Sequence, residues 1–158
     1  MNNLEFTRID DRLIHGQVCA AWLKSIPSIK HILVIDDDAS KDPFMSEMFS
    51  LLVPTHITIE IQSVENATKI LKDGLIEPTM IIVKLPLTIK RIIDNGIDIN
   101  FINVGGMGMT TGRKKLFQNI SASDEERNIF KELIDKGIKV EIQIIPAQRQ
   151  VDVASLIK

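Results

Sequence analysis

Short apolar runs alternate with segments of helical periodicity along the whole 158-residue chain. The runs LEFTRI (4–9), HILVID (31–36), ITIEIQ (57–62), MIIVKL (80–85), INFINV (99–104) and VEIQII (140–145) read as strands. They are rich in Ile and Val and mostly uncharged, the composition of parallel strands buried on both faces. Helical patterns fill the gaps. Residues 16–25 place Val18, Ala21, Trp22 and Ser25 at helical spacing. Residues 42–52 open with Asp42 as N-cap and Pro43 in the first turn, and 86–96 run from Pro86 to a stop at Gly96. Residues 63–74 carry Ser63 at cap spacing from Asn66 and a stop at Gly74. Residues 123–137 pair Ser123 with Glu126 in a capping box and stop at Gly137. The C-terminal VDVASLI reads as a short amphipathic turn or helix.

Strands that alternate with helices predict an α/β fold: an open, mostly parallel central sheet with helices on both faces, in a single domain spanning 1–158. No repeat or low-complexity segment interrupts it. Ligands of such sheets bind beyond the C-terminal strand ends. Those ends carry informative residues: Asp10 to His15 after the first strand, Asp36-Asp37-Asp38 after the second, Lys84 after the fourth, and NVGGMGMTTGRKK (103–115) after the fifth.

Composition narrows the function. Net charge is −2, and the chain has six Phe, one Trp and no Tyr. This balance argues against nucleic-acid binding, which uses basic excess and stacking aromatics. The single cysteine, Cys19, makes an internal disulfide impossible. The N-terminus MNNLEFTRIDD has no apolar core of a signal peptide, and no run approaches the length of a spanning helix. A cytoplasmic protein is expected, with any membrane role exerted through a partner.

The chemistry concentrates in RIDDRLIHGQV (8–18), where two arginines, two aspartates and a histidine crowd one strand-to-helix turn. A helix start offers backbone N–H groups and partial positive charge to an anion, Gly16 permits close backbone approach, and Arg8 and Arg12 add full charges suited to phosphate oxygens. A neutral imidazole at His15 beside these groups can accept a phosphoryl group. Asp10 and Asp11 are placed to hold its N–H and fix the tautomer, or to pair with the arginines instead. Cys19, four residues after His15, has metal-pair spacing, but two ligands do not make a site and a buried thiol is the simpler reading. IDDDAS (35–40) loosely matches the D-x-D-x-[ST] signature of aspartyl-phosphate phosphatases, and the early aspartates with Lys84 have receiver-like features. A Mg²⁺-dependent phosphatase or receiver-like domain using Asp36 or Asp10 is therefore the alternative function, and a non-catalytic module for an anionic metabolite is a third. GGMGMTTGRKK fits neither a Walker A loop nor G-x-G-x-x-G. It reads as a flexible loop carrying Arg113, Lys114 and Lys115, either lining an anion site or forming a mobile surface turn.

RIDDRLIHGQV, followed by Trp22, resembles the opening of the enzyme II B components of the mannose/fructose/sorbose family of the sugar phosphotransferase system. The likeness continues through VIDDDASKDPF, INFINVGGM and IDKGIKVEIQIIP, and so covers nearly the whole chain. It implies that His15 carries a phosphoryl group on Nδ1, with Arg12 beside the phosphate and with Arg8 and Asp10 matching the family's R-I-D opening. Gly16 and Gln17, at the helix start, join Arg12 as phosphate-binding candidates, and Asp36, Gly105 and Gly106, at strand ends, are candidates to line the crevice. The resemblance further implies a donor, the phosphorylated A component, and acceptors, a sugar held by the membrane C and D components. No cofactor and no metal belong to this step.

Overall fold

The computed structural model describes residues 1–157. Nine strands and five helices follow one another: β1 (Leu4–Asp10), α1 (Gly16–Ser25), β2 (His31–Ile35), α2 (Met45–Ser50), β3 (Thr58–Gln62), α3 (Val64–Asp73), β4 (Thr79–Val83), α4 (Pro86–Asp94), β5 (Phe101–Gly106), β6 (Lys114–Phe117), β7 (Ile120–Ala122), α5 (Asp124–Asp135), β8 (Lys139–Ile142) and β9 (Val151–Asp152). Seven strands form one sheet in the order β3-β2-β4-β1-β5-β8-β9. Every pairing in it is parallel except that of β9 with β8.

Period-two alternation sorts the strand residues onto two cores. Ile32, Val34, Met80 and Ile82 face α1 and α2, where they pack with Cys19, Trp22, Leu23 and Phe49. Their neighbours Leu33, Ile35, Ile81 and Val83 face α3, α4 and α5, and pack with Leu71, Ile89, Ile92, Phe130 and Leu133. Burial on both faces explains why these strands read as continuous apolar runs.

Two caps hold as the sequence predicts. The Ser63 hydroxyl accepts from the Asn66 amide. Ser123 and Glu126 exchange bonds in a capping box, each at 3.0 Å. Three expectations need correction. The helix expected over 42–52 is confined to Met45–Ser50: Asp42 is not its cap but turns the chain by accepting from the Phe44 amide. The loop after β5 is not a mobile turn. Residues 114–122 form a separate antiparallel hairpin, β6-β7. The C-terminal segment contributes β9 before a single 3-10 turn at Val153–Ser155.

Strand order places the site. β1 is central, with β4 on one side and β5 on the other. The chain builds outward on the β4 side, then crosses to the β5 side, so the crevice between the C-terminal ends of β1 and β5 is the switch point of the sheet. Ser123→Ala removes one half of the capping box. It is expected to lower stability by about 0.5–2 kcal/mol, seen as a lower urea midpoint at unchanged slope.

Candidate functional site

β1 ends on Arg8, Ile9 and Asp10, and the chain then turns sharply. The Leu13 amide donates to the Asp10 carbonyl at 2.9 Å, and Leu13 adopts φ +58. A buried branched residue in the left-handed region is held there by its surroundings at an energetic cost. Leu13 and Ile14 bury their side chains in the α1-side core. This anchors the turn and leaves Arg12 and His15 exposed on either side. His15 is the N-cap residue of α1: its backbone is extended, its carbonyl accepts from the Cys19 amide at 2.8 Å, and its side chain makes no cap.

Beneath this turn lies a buried ionic chain. Asp10 is 1% exposed and Arg8 2%. Arg8 Nη2 donates to Asp10 Oδ2 at 3.1 Å. Arg12 grips the same carboxylate from above, Nε to Oδ1 at 3.1 Å and Nη2 to Oδ2 at 3.2 Å, and its amide adds a bond to Oδ1 at 3.0 Å. The rest of Arg8 is also occupied. Nη1 donates to Asn103 Oδ1 at 2.6 Å and to the Gln143 carbonyl, and Nη2 donates to the Ile144 carbonyl. Trp22 Nε1 donates to that same Ile144 carbonyl, and its ring lies 5.6 Å below the guanidinium carbon. Burial pushes the Arg8 pKa down and Asp10 pulls it back; the hydrogen bond to Asp10 raises that of Arg12. Burial also pushes the Cys19 thiol up to about 11, so it stays protonated and packs as an apolar group.

β5 provides the space. Asp10 pairs with Gly106 across the sheet. A Cβ on Gly105 would fall 1.9 Å from Arg8 Cζ, and one on Gly106 would fall 2.4 Å from Asp10 Oδ1. Both glycines, with Asp11, Arg12, Met107 and Gly108, line a cleft of about 260 Å³ at the switch point. Asp11 ties down its far rim by accepting from the Gly108 amide at 2.8 Å. Arg113, read from the sequence as part of a flexible loop, is instead fixed against Glu126 through bonds of 2.8 and 2.9 Å. It also donates to the Gly108 carbonyl. Lys114 and Lys115 are exposed on β6.

Several residues therefore stand elsewhere than the sequence suggests. Arg8 does not offer its charge to the crevice, because it is buried and its donors are taken by protein acceptors. Asp10 and Asp11 serve the arginines and Gly108, and among the described residues neither bonds the His15 ring. Asp36 follows β2, which β4 separates from β1, and its Oδ2 accepts from the Ala39 amide. Its neighbour Asp37 bonds the Val64 amide and Arg91. The aspartate-centred alternative is thus left with carboxylates engaged in structure. Among the described residues no three His, Cys, Asp or Glu side chains gather to hold a metal ion. Sequence reasoning missed Asn103, which is fully buried against Arg8; the signal was a polar residue inside an apolar strand.

Replacing Arg8 by Met removes one partner of a buried pair and is expected to cost about 3–5 kcal/mol. Gly105→Ala crowds the same guanidinium and should cost about 1–3 kcal/mol. Urea denaturation reads both, and a wild-type midpoint for Gly105→Ala would mean that the Arg8 seat is looser than its geometry implies.

Comparisons with known proteins agree along the full chain. The family model described as PTS system sorbose subfamily IIB component matches residues 4–158. The fructose-specific EIIB component of Bacillus subtilis (strain 168) is 28% identical over 160 residues, covering 100% of this chain and 98% of that protein. The mannose-specific EIIAB component of Escherichia coli (strain K12) is 27% identical over 152 residues; the match covers 95% of this chain but 47% of that longer protein. Among solved structures, the IIBSor domain of the sorbose permease from Klebsiella pneumoniae superimposes with a TM-score of 0.90 at 26% identity, covering 98% of this chain and 95% of that one. For manxB from Thermoanaerobacter tengcongensis the TM-score is 0.86 at 32% identity, with 96% and 93% covered. The family match from Leu4 to the last residue, with structural neighbours of the same kind over nearly the whole chain, shows that the chain belongs to the sorbose-subfamily IIB components of the sugar phosphotransferase system.

Proposed function

We propose that this protein relays a phosphoryl group during sugar uptake, with His15 as the acceptor. The A component's phosphohistidine donates: its N–P bond breaks as a bond forms to Nδ1 of His15. In the second step the His15 N–P bond breaks as the sugar hydroxyl oxygen bonds phosphorus and releases its proton. The sugar is held by the membrane C and D components. Among the described residues no helix is long and apolar enough to cross a membrane; in this reading the chain meets the permease as a peripheral partner.

The observation that carries this reading is the contrast between His15 and its surroundings. The turn is rigidly anchored by Leu13, Ile14 and Asp10, yet the imidazole itself is exposed and bound to none of the neighbouring carboxylates. That suits a group that two partners must reach in turn. Arg12, whose side chain is 44% exposed, is held by Asp10 through Nε and Nη2. Among the described residues its Nη1 bonds no protein acceptor and remains for a phosphate oxygen. Gly16 and Gln17 begin α1, where backbone N–H groups favour an anion. A Cβ on Gly16 would make only an ordinary contact with Leu52, so packing does not require a glycine here; in this reading its missing side chain lets the phosphate approach the backbone. Catalysis of this kind rests on positioning and charge stabilisation.

His15→Ala should abolish labelling by the phosphorylated A component while leaving the melting temperature unchanged; full ³²P incorporation in this variant would sink the assignment. Arg12→Ala should slow both arrival and departure of the phosphoryl group, by about 10²-fold or less at so exposed a site. Arg12→Lys should restore only part of the rate, because an ammonium cannot hold the Asp10 carboxylate side-on and still reach the phosphate. Quench-flow transfer rates beside a melting curve separate this from a purely structural Arg12, which would lower the melting point and leave the rate intact.

A further inference from the structure

A cavity of about 710 Å³ takes no part in the chemistry at His15. It is lined by the β6-β7 hairpin on one side and by β8, β9 and the loop joining them on the other. Its size falls within the range of pockets that enclose a small molecule. Ile120 and Ile144 line both this cavity and the switch-point cleft, so the two are neighbours. The walls are braced. Gln143 Nε2 donates to the carbonyls of Pro146 and Gln148 at 3.1 and 2.8 Å, and the Ile144 amide donates to Gln148 Oε1 at 3.2 Å. Arg8 and Trp22 hold the same loop from inside through the Ile144 carbonyl. On the hairpin, Gln118 sits at φ +48, a left-handed conformation that costs a glutamine energy and a glycine none. Such strain collects where a side chain is kept for a ligand.

The groups left free define the ligand. Among the described residues the Arg149 guanidinium and the amides of Gln118 and Gln150 bond no protein partner, and Gln148 keeps its Nε2. Asp152 also lines the cavity, but its carboxylate is engaged by Lys139 Nζ at 3.3 Å and by the Ala154 amide at 3.1 Å. The one unpaired charge at the cavity is therefore positive. A guanidinium suits phosphate oxygens, which it holds side by side. A primary amide both donates and accepts, as a hydroxyl does, so three of them suit a ring of hydroxyls. The floor is aliphatic, made by Ile120, Ile142, Ile144 and Val151, with Phe117 as the single aromatic. That surface fits the C–H face of a sugar ring, whereas a nucleobase is matched by stacking aromatics. We propose that this cavity binds a small polyhydroxylated phosphate ester, the chemistry of a monosaccharide phosphate. Arg149 takes the phosphate, and Gln118, Gln148 and Gln150 take the hydroxyls. None of these residues belongs to the transfer site, so this binding does not depend on His15 being the acceptor.

Titration calorimetry on the whole chain tests this. The probes are glucose 6-phosphate, mannose 6-phosphate, fructose 6-phosphate and fructose 1-phosphate, beside the free sugars, inorganic phosphate and AMP. At least one of the esters is expected to bind one to one, and more tightly than its free sugar or inorganic phosphate. Arg149→Gln should weaken that binding about tenfold or more at an unchanged melting temperature, because it removes a charged donor. Gln118→Gly should weaken it about two- to tenfold without lowering the melting temperature, since glycine removes the amide and relieves the positive φ. Arg12→Ala and His15→Ala should both keep the wild-type affinity. Binding that survives Arg149→Gln and is lost in Arg12→Ala would put the ligand in the switch-point cleft and overturn the proposal. It is equally overturned if none of the esters binds, or if AMP binds more tightly than all of them.

Discussion

A single buried carboxylate organises this site. Asp10 sits at the end of the central strand with almost no solvent contact, and it is tolerable there only because two guanidiniums surround it. An ionised carboxylate alone in that position would cost several kcal/mol. Arg8 offsets this from inside, and is itself held by Asn103, two carbonyls and the face of Trp22. Arg12 offsets it from outside, and in doing so loses the freedom of a long surface side chain. The interior thus fixes a charge at the surface, so that an anion meeting Arg12 finds a donor already in place.

The two glycines of β5 follow from the same constraint. Arg8 and Asp10 need volume next to the neighbouring strand, and a Cβ at either Gly105 or Gly106 would occupy it. The Asn-Val-Gly-Gly end of β5 therefore makes room for the buried ionic chain, and its glycines then line the cleft. Beyond them, Asp11, Arg113 and Glu126 tie the rim loop to the start of α5. Burial pushes the Glu126 carboxyl up, but the bonds from Arg113 and Ser123 outweigh it and hold it below its usual value. The capping box of α5 and the rim of the cleft thereby share one residue.

The surroundings of His15 divide by chemistry. On the β5 side the turn is held by charge and hydrogen bonds, with little room for a side chain to move. On the α2 side it meets an apolar stripe that the core leaves uncovered.

The sequence by itself determined the architecture and the location of the chemistry. Six strand runs and five helical patterns correspond to elements of the structure, because burial on both faces of a parallel sheet leaves an apolar signature that local sequence cannot hide. The crowding of Arg8 to His15 likewise marked the turn at which the buried ion pairs and the exposed histidine meet. The β6-β7 hairpin was not legible: its strands are short, and Lys114 and Lys115 open the first of them. The roles of the two arginines were not legible either. Both look equally suited to phosphate in RIDDR, and only the packing of β1 between β4 and β5 turns Arg8 inward onto Asn103 and leaves Arg12 outside. Asp36 has the same lesson in reverse, since its strand end lies two places away from β1. Local sequence fixes which residues sit at strand ends; strand order, a long-range property, decides which of those ends meet.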